Sequence, residues 1–164
     1  IISHLHPDAL FHHDDWGSQR STFLSPEMFE EFIEPAYKKI YGFWKANGVE
    51  LIVHHSDSYV ATLFPNMIRV GIDVIQGAVY ENNIPELLKK YGSQISIMAG
   101  LDNGKYDKED WSKKKIQKGL EELFETAGTK YLIPCLTMGG PGSTYPGVYE
   151  TVTEEIDAFS KVYF

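Results

Sequence analysis

Residues able to do chemistry recur at the ends of short apolar runs in this 164-residue chain: His12-His13-Asp14-Asp15, His54-His55-Ser56-Asp57, Leu101-Asp102-Asn103, and Cys135 ahead of a Gly-rich loop. A neutral imidazole can take up a proton or hold a metal, a carboxylate accepts protons and hydrogen bonds, and a thiolate is a nucleophile and a soft ligand. His55 and Asp57 stand at i and i+2, so on an extended segment they face the same side. Each group also has a plainer reading. Asp14 and Asp15 can be a pair leading into a helix, His55 a hydrogen-bonded polar residue, Asp57 an N-cap and Cys135 a small buried filler. Repetition after four separate runs is what argues for a shared site.

The elements that must position these groups follow from the apolar patterning. Runs at 9–13, 50–55, 72–76, 95–101 and 130–135 have the β-branched and aromatic content of buried strands. Between them lie segments of helical period. In 25–44, Phe29, Phe32, Ile33, Ala36, Ile40, Phe43 and Trp44 fall on one stripe, with Ser25 as N-cap, Pro26 in the first turn and Asn47-Gly48 as the stop. Shorter helices are predicted over 60–69 and 85–91. A longer one covers 108–126, turning Ile116, Leu120, Leu123 and Phe124 inward, and a last one runs from Pro146 to the end on Val148, Val152, Ile156 and Phe159. Strict alternation predicts an α/β fold with a parallel sheet, whose C-terminal edge carries the site.

Composition removes several classes of function. Asp and Glu total 23 against 15 Lys and Arg, a formal charge of −8 that repels phosphate backbones, so no nucleic acid partner is expected. The basic run Lys113-Lys114-Lys115 reads as a solvated helix face. One cysteine excludes an internal disulfide and fits a reducing cytoplasm. No apolar run reaches the ~18–20 residues of a membrane span, and the start lacks the features of a signal peptide, so neither membrane nor export is expected. No GxGxxG or P-loop follows any strand. The start without Met predicts a longer parent chain.

His13-Asp14-Asp15-Trp16-Gly17-Ser18-Gln19, then Leu24-Ser25-Pro26-Glu27-Met28-Phe29 and Glu34-Pro35-Ala36-Tyr37-Lys38-Lys39-Ile40, resemble a strand, loop and helix of the uroporphyrinogen decarboxylase superfamily. His55-Ser56-Asp57-Ser58 resembles its His-Ser-Asp-Gly or His-x-Cys-Gly segment, Val70-Gly71-Ile72-Asp73 its Gly-Val-Asp strand, and Met98-Ala99-Gly100-Leu101-Asp102 its Gly-Gly-Leu-Asp-like strand end. The resemblance keeps its order over essentially the whole chain. It implies that residues 1–164 are one domain, the C-terminal portion of a (β/α)8 TIM barrel. About five βα units are incomplete as a barrel. Open strand edges and uncovered apolar faces then predict a homo-oligomer, or completion by the rest of a longer parent chain.

Within that superfamily the chain resembles the corrinoid-linked methyltransferase branch more than the decarboxylase. The decarboxylase holds its many-carboxylate substrate with an Arg-rich N-terminal segment, a region absent from these 164 residues, in which Arg20 and Arg69 are the only arginines. Asp15 stands where the decarboxylase has a substrate-contacting Ser, and Leu136-Thr137-Met138-Gly139-Gly140 lacks the His of its Gly-His-Gly turn. The methyltransferase resemblance implies a small-molecule substrate, a partner protein carrying a corrinoid, and a zinc ion bound by a His-x-Cys pair and a distant Cys. Two registers are open: His54 with Ser56, which loses the thiolate, or His55 with Asp57, which keeps two ligating groups and is favoured. Cys135 is then the distant ligand. The expected roles are catalytic for Asp15, His55 and Asp57, and substrate-binding for His13, Asp14, Gln19, Arg20, Tyr59 and Asp102, with Tyr80, Tyr145 and Tyr149 on the same face. The alternatives are a decarboxylase of tetrapyrrole biosynthesis and an inactive, self-associating barrel fragment.

Overall fold

In the computed structural model, which describes residues 2–137, 139 and 142–164, five strands form one parallel sheet in sequential order. They are β1 (Ala9–His13), β2 (Leu51–His55), β3 (Val74–Gln76), β4 (Ser96–Leu101) and β5 (Leu132–Leu136). The helices are α1 (Ile2–Leu5), α2 (Pro26–Phe32), α3 (Glu34–Ala46), α4 (Phe64–Val70), α5 (Ile84–Tyr91), α6 (Asn103–Tyr106), α7 (Lys113–Ala127) and α8 (Val148–Tyr163).

Right-handed crossovers between neighbouring parallel strands in unbroken order put every connecting helix on the same side of the sheet. Burial agrees. Ile52, His54, Ile75, Ile97 and Ala99 are fully buried under the helices, while Phe11, Leu51 and Ile133 are exposed on the opposite face. One covered face and one bare concave face is the arrangement of a TIM-barrel wall, here five strands wide and open. Pairing His12 with His54 and His13 with His55 sets β1 and β2 in register to their last residue.

Two expectations about helices change. The single helix over 25–44 is two, because Pro35 in the first turn of α3 has no N–H to bond back and its ring would clash with the carbonyl four residues earlier. The break resets the helical phase. Of the expected stripe Phe29 is buried and Ile33 and Trp44 pack against the core, Phe32, Ala36, Ile40 and Phe43 are exposed, and Tyr37 and Tyr41 complete the inward face. Likewise 108–126 starts later, at Lys113, where the Ser112 hydroxyl accepts from the Lys115 N–H. Its inward residues Ile116, Leu120, Leu123 and Phe124 are buried as expected. No helix among the described residues is long and apolar enough to cross a membrane.

The helix layer contains a charged clamp. The Glu34 carboxylate on α3 is 1% exposed and receives the Arg69 guanidinium at 2.6 Å, the Asn66 amide at 2.8 Å and the Lys38 ammonium at 2.8 Å. Burial alone would raise this carboxyl, but Arg69, Lys38 and Asn66 outweigh it and hold it below its ordinary range. Removing one partner of such a group costs far more than replacing both by apolar residues. Arg69→Met should therefore lower stability by about 2–4 kcal/mol in urea unfolding, and Arg69→Met with Glu34→Leu should recover most of the loss. Equal losses in the single and double variants would contradict the clamp.

Candidate functional site

The pleat divides the two His pairs. His12 and His54 point behind the sheet into the helix layer, and His13 and His55 point to the concave side. Behind the sheet, the His54 Nε2 lies 3.0 Å from the carbonyl oxygen of Asp14 and its Nδ1 lies 2.7 Å from the Tyr41 hydroxyl, which is also 2.8 Å from His12 Nδ1. Because a carbonyl only accepts, His54 must carry its proton on Nε2 and accept at Nδ1. The Tyr41 hydroxyl then donates to His54 and accepts from the N–H of His12. The bonds thus run in one direction, from His12 through Tyr41 and His54 to the Asp14 carbonyl.

Around it stand Trp16, Phe29, Tyr37 and Trp44. The indole of Trp16 lies against His54 with ring centroids 3.9 Å apart. Burial drives the His54 imidazole down to about 3, so it is neutral at physiological pH. The Asp14 carboxylate is also drawn into this layer, accepting from the Tyr37 hydroxyl and, at 3.1 Å, from the Trp16 indole N–H. Burial foremost, and then the hydrogen bond to Asp14, raise the Tyr37 hydroxyl above its ordinary range.

On the concave side the His13 and His55 rings stack with centroids 4.0 Å apart at 21°. His55 Nδ1 bonds the side-chain oxygen of Gln76, whose amide N–H₂ donates to the Thr137 carbonyl at 3.3 Å. That second bond fixes the amide's orientation, so His55 donates from Nδ1 and, when neutral, presents the lone pair of Nε2. The loops after β1 and β2 are stitched together beside this pair. Asp15 accepts from the Asp57 N–H at 2.6 Å, Ser56 Oγ accepts from the Trp16 N–H at 3.0 Å, the Gln19 amide donates to the Asp57 carbonyl at 3.3 Å, and the Tyr59 N–H bonds the Ser18 carbonyl at 2.8 Å. Gly17 sits where a side-chain carbon would come within 2.5 Å of the Tyr59 carbonyl, so the loops can close only over glycine.

Asp57 is the exception to this satisfaction. Its Oδ1 is enclosed and has no hydrogen-bond partner among the described residues. Burial raises its carboxyl above the ordinary range, with His55 opposing the shift and Asp15 adding to it. A partly enclosed carboxylate with an uncommitted oxygen, next to a stacked imidazole pair, can exchange a proton with a bound molecule.

The expected site residues therefore separate. His13, His55, Asp15, Asp57 and Gln19 come together. Tyr59 contributes backbone to the same loop pair, and Asp14 is committed to the aromatic layer. Of the two registers, His54 and Ser56 are fully buried behind the sheet, and His55 and Asp57 face the site. Cys135 lies on β5, three strands from His55, or ~14 Å along the sheet, whereas zinc ligands must lie ~2.0–2.3 Å from one centre. Burial pushes the Cys135 thiol up to about 12. No three His, Cys, Asp or Glu among the described residues converge as a metal requires. His55, Asp57 and Cys135 do not fit zinc in this arrangement. Asp102 caps α6, accepting from the Gly104 N–H at 2.8 Å, and borders a different cavity. Of the arginines, Arg20 is exposed on the loop after β1 and Arg69 is held by Glu34 in the helix layer.

Gln76, Tyr37 and Tyr41 are the residues that sequence reasoning missed. Gln76 had a signal, as the one amide ending an apolar run next to two strands that end in His. The tyrosines were hidden by the phase shift at Pro35.

A family model described as uroporphyrinogen decarboxylase (URO-D) matches residues 8–158, from just before β1 into α8. The chain belongs to the uroporphyrinogen decarboxylase family. No curated protein matches it. Membership makes an enzyme the general expectation and accounts for the barrel-type sheet and for a site at the C-terminal strand ends. It does not select among the reactions of the uroporphyrinogen decarboxylase superfamily.

The buried His54 has a consequence for stability. The folded chain keeps it neutral down to about pH 3, while the unfolded chain takes up a proton near pH 6.5. This contribution is present above pH ~6.5 and is lost as pH falls toward 3, at no more than about 1.4 kcal/mol per pH unit. Denaturant midpoints between pH 7 and pH 4 should fall more steeply for the native chain than for His54→Gln. Parallel slopes would refute a buried neutral His54.

Proposed function

We propose that this member of the uroporphyrinogen decarboxylase family is a methyltransferase, moving a methyl group between a small methylated donor or thiol and a corrinoid carried by a partner protein in the cytoplasm. What carries the reading is the charge of the site. Among the described residues its ionisable groups are the carboxylates of Asp15 and Asp57 and the imidazoles of His13 and His55, and Arg69 is removed to Glu34. A tetrapyrrole bearing many carboxylates would meet anions there, among the described residues, and gains little from Arg20 alone. A neutral or cationic methyl donor, or a thiol, meets no such repulsion.

In this reading the corrinoid supplies the cobalt that gives or takes the methyl group. The methyl moves as a cation equivalent. The bond it leaves keeps both electrons on the departing atom, and the accepting atom supplies the new pair. When the acceptor is a thiol, its proton must go elsewhere, and the Asp57 carboxylate or the Nε2 lone pair of His55 can take it. A carboxylate raised by burial is the stronger proton acceptor of its kind. Gln76 holds the His55 ring and Asp15 holds the Asp57 backbone, so both acceptors are fixed before substrate binds.

Incubation of the protein with methylcobalamin and 2-mercaptoethanol should bleach the methylcobalamin absorbance and yield the S-methyl thioether. Asp57→Asn should slow this by roughly 100-fold, the usual contribution of a positioned proton acceptor, without disturbing the His13 and His55 stack. Decarboxylation of uroporphyrinogen with methylcobalamin untouched would overturn the proposal in favour of the decarboxylase. Turnover of neither, with large aggregates in light scattering, would favour the self-associating fragment.

A further inference from the structure

Asp102 leads to a second cavity, of about 590 Å³, outside the His55 and Asp57 site. It lies between α5 and α7 beyond the end of β4. Its apolar side is Ile84, Leu101 and Leu123, and the rings of Tyr80 and Tyr106 line it as well. The volume is that of a small-molecule site.

Two glycines keep it open. Gly119 lies inside the 15-residue helix α7, where glycine costs stability relative to alanine. A side-chain carbon there would drive into the Tyr106 ring. Gly100 is in β4 at φ +139°, and a side-chain carbon there would come within 2.5 Å of Leu123. At both positions a larger residue would force a cavity-lining side chain to move.

The charged groups lining the cavity are Glu81, Asp102 and Glu122 against one cation, Lys105. The structure also shows how an ammonium sits there. Lys105 Nζ is 5.2 Å from the centre of the Tyr106 ring and 3.7 Å from Glu122 Oε2. That ion pair is long, and Glu122 shares its carboxylate with Lys118, also at 3.7 Å. Tyr80 is 64% exposed at the cavity and offers a second ring face. An apolar floor, aromatic walls and a net negative rim together match an organic ammonium ion with a hydrophobic body.

We propose that this cavity is a binding site for an aryl- or alkylammonium ligand, held over the Tyr80 and Tyr106 rings with its charge toward Glu81 and Glu122. The assignment does not rest on methyl transfer at the His55 and Asp57 site. Ligand-observed NMR titration of the 164-residue chain with phenethylammonium, and with 3-phenylpropionate as its anionic counterpart, tests it. The cation should bind at least roughly fivefold more tightly than the anion, and Tyr80→Ala and Glu122→Gln should each weaken it by a similar factor. Lys105→Met removes the competing ammonium and should tighten phenethylammonium, a gain that damage to the fold cannot imitate. Equal binding of cation and anion, no binding of either, or weaker cation binding in Lys105→Met would each overturn the proposal.

Discussion

The hydrogen-bond chain that runs from His12 through Tyr41 and His54 to the carbonyl of Asp14 holds the end of β1, the end of β2 and helix α3 in one arrangement. An unsatisfied buried polar group costs about 1–3 kcal/mol, so the only inexpensive geometry is the one in which all four partners are in place. Fixing His54 behind the sheet fixes His55 in front of it, because adjacent residues of a strand face opposite sides. The same holds for His12 and His13. The stacked pair on the concave side is in this sense a consequence of the buried pair behind it.

The site is assembled in layers from that constraint. Register between β1 and β2 brings the two front imidazoles into contact, Gln76 from β3 turns one of them, and the loop after β1 reaches across to hold the Asp57 backbone. Among the described residues the enclosed Oδ1 of Asp57 has no hydrogen-bond partner, and the neutral His55 ring keeps the lone pair of Nε2. In the helix layer, by contrast, the buried Glu34 carboxylate is fully partnered by Arg69, Lys38 and Asn66. That division leaves the site carboxylate-rich and assigns an arginine to structure.

Much of the fold was legible in the sequence because strand-forming runs and capping residues act locally. The strands at 9–13 and 95–101 and the inward face of α7 needed only periodicity and a Ser or Gly stop. Where a single residue reset the phase, the pattern misled. Phe32, Ile40 and Phe43 form a convincing apolar stripe until Pro35 divides the helix, after which Tyr37 and Tyr41 take the inward positions. Spacing alone also separated His55 and Asp57 from His54 and Ser56. Which groups then meet across strands was not legible for Cys135 and Asp102. Both end strands at the same edge, yet strand order puts them away from His55, and only the sheet topology shows it.

Long-range ¹H–¹⁵N NMR of the imidazoles reads the proton arrangement of the buried hydrogen-bond chain directly. At pH 5 the spectrum should show His54 neutral, with its proton on Nε2 and an unprotonated, hydrogen-bonded Nδ1. A protonated His54 ring at that pH, or a neutral ring carrying its proton on Nδ1, would contradict this hydrogen-bond chain.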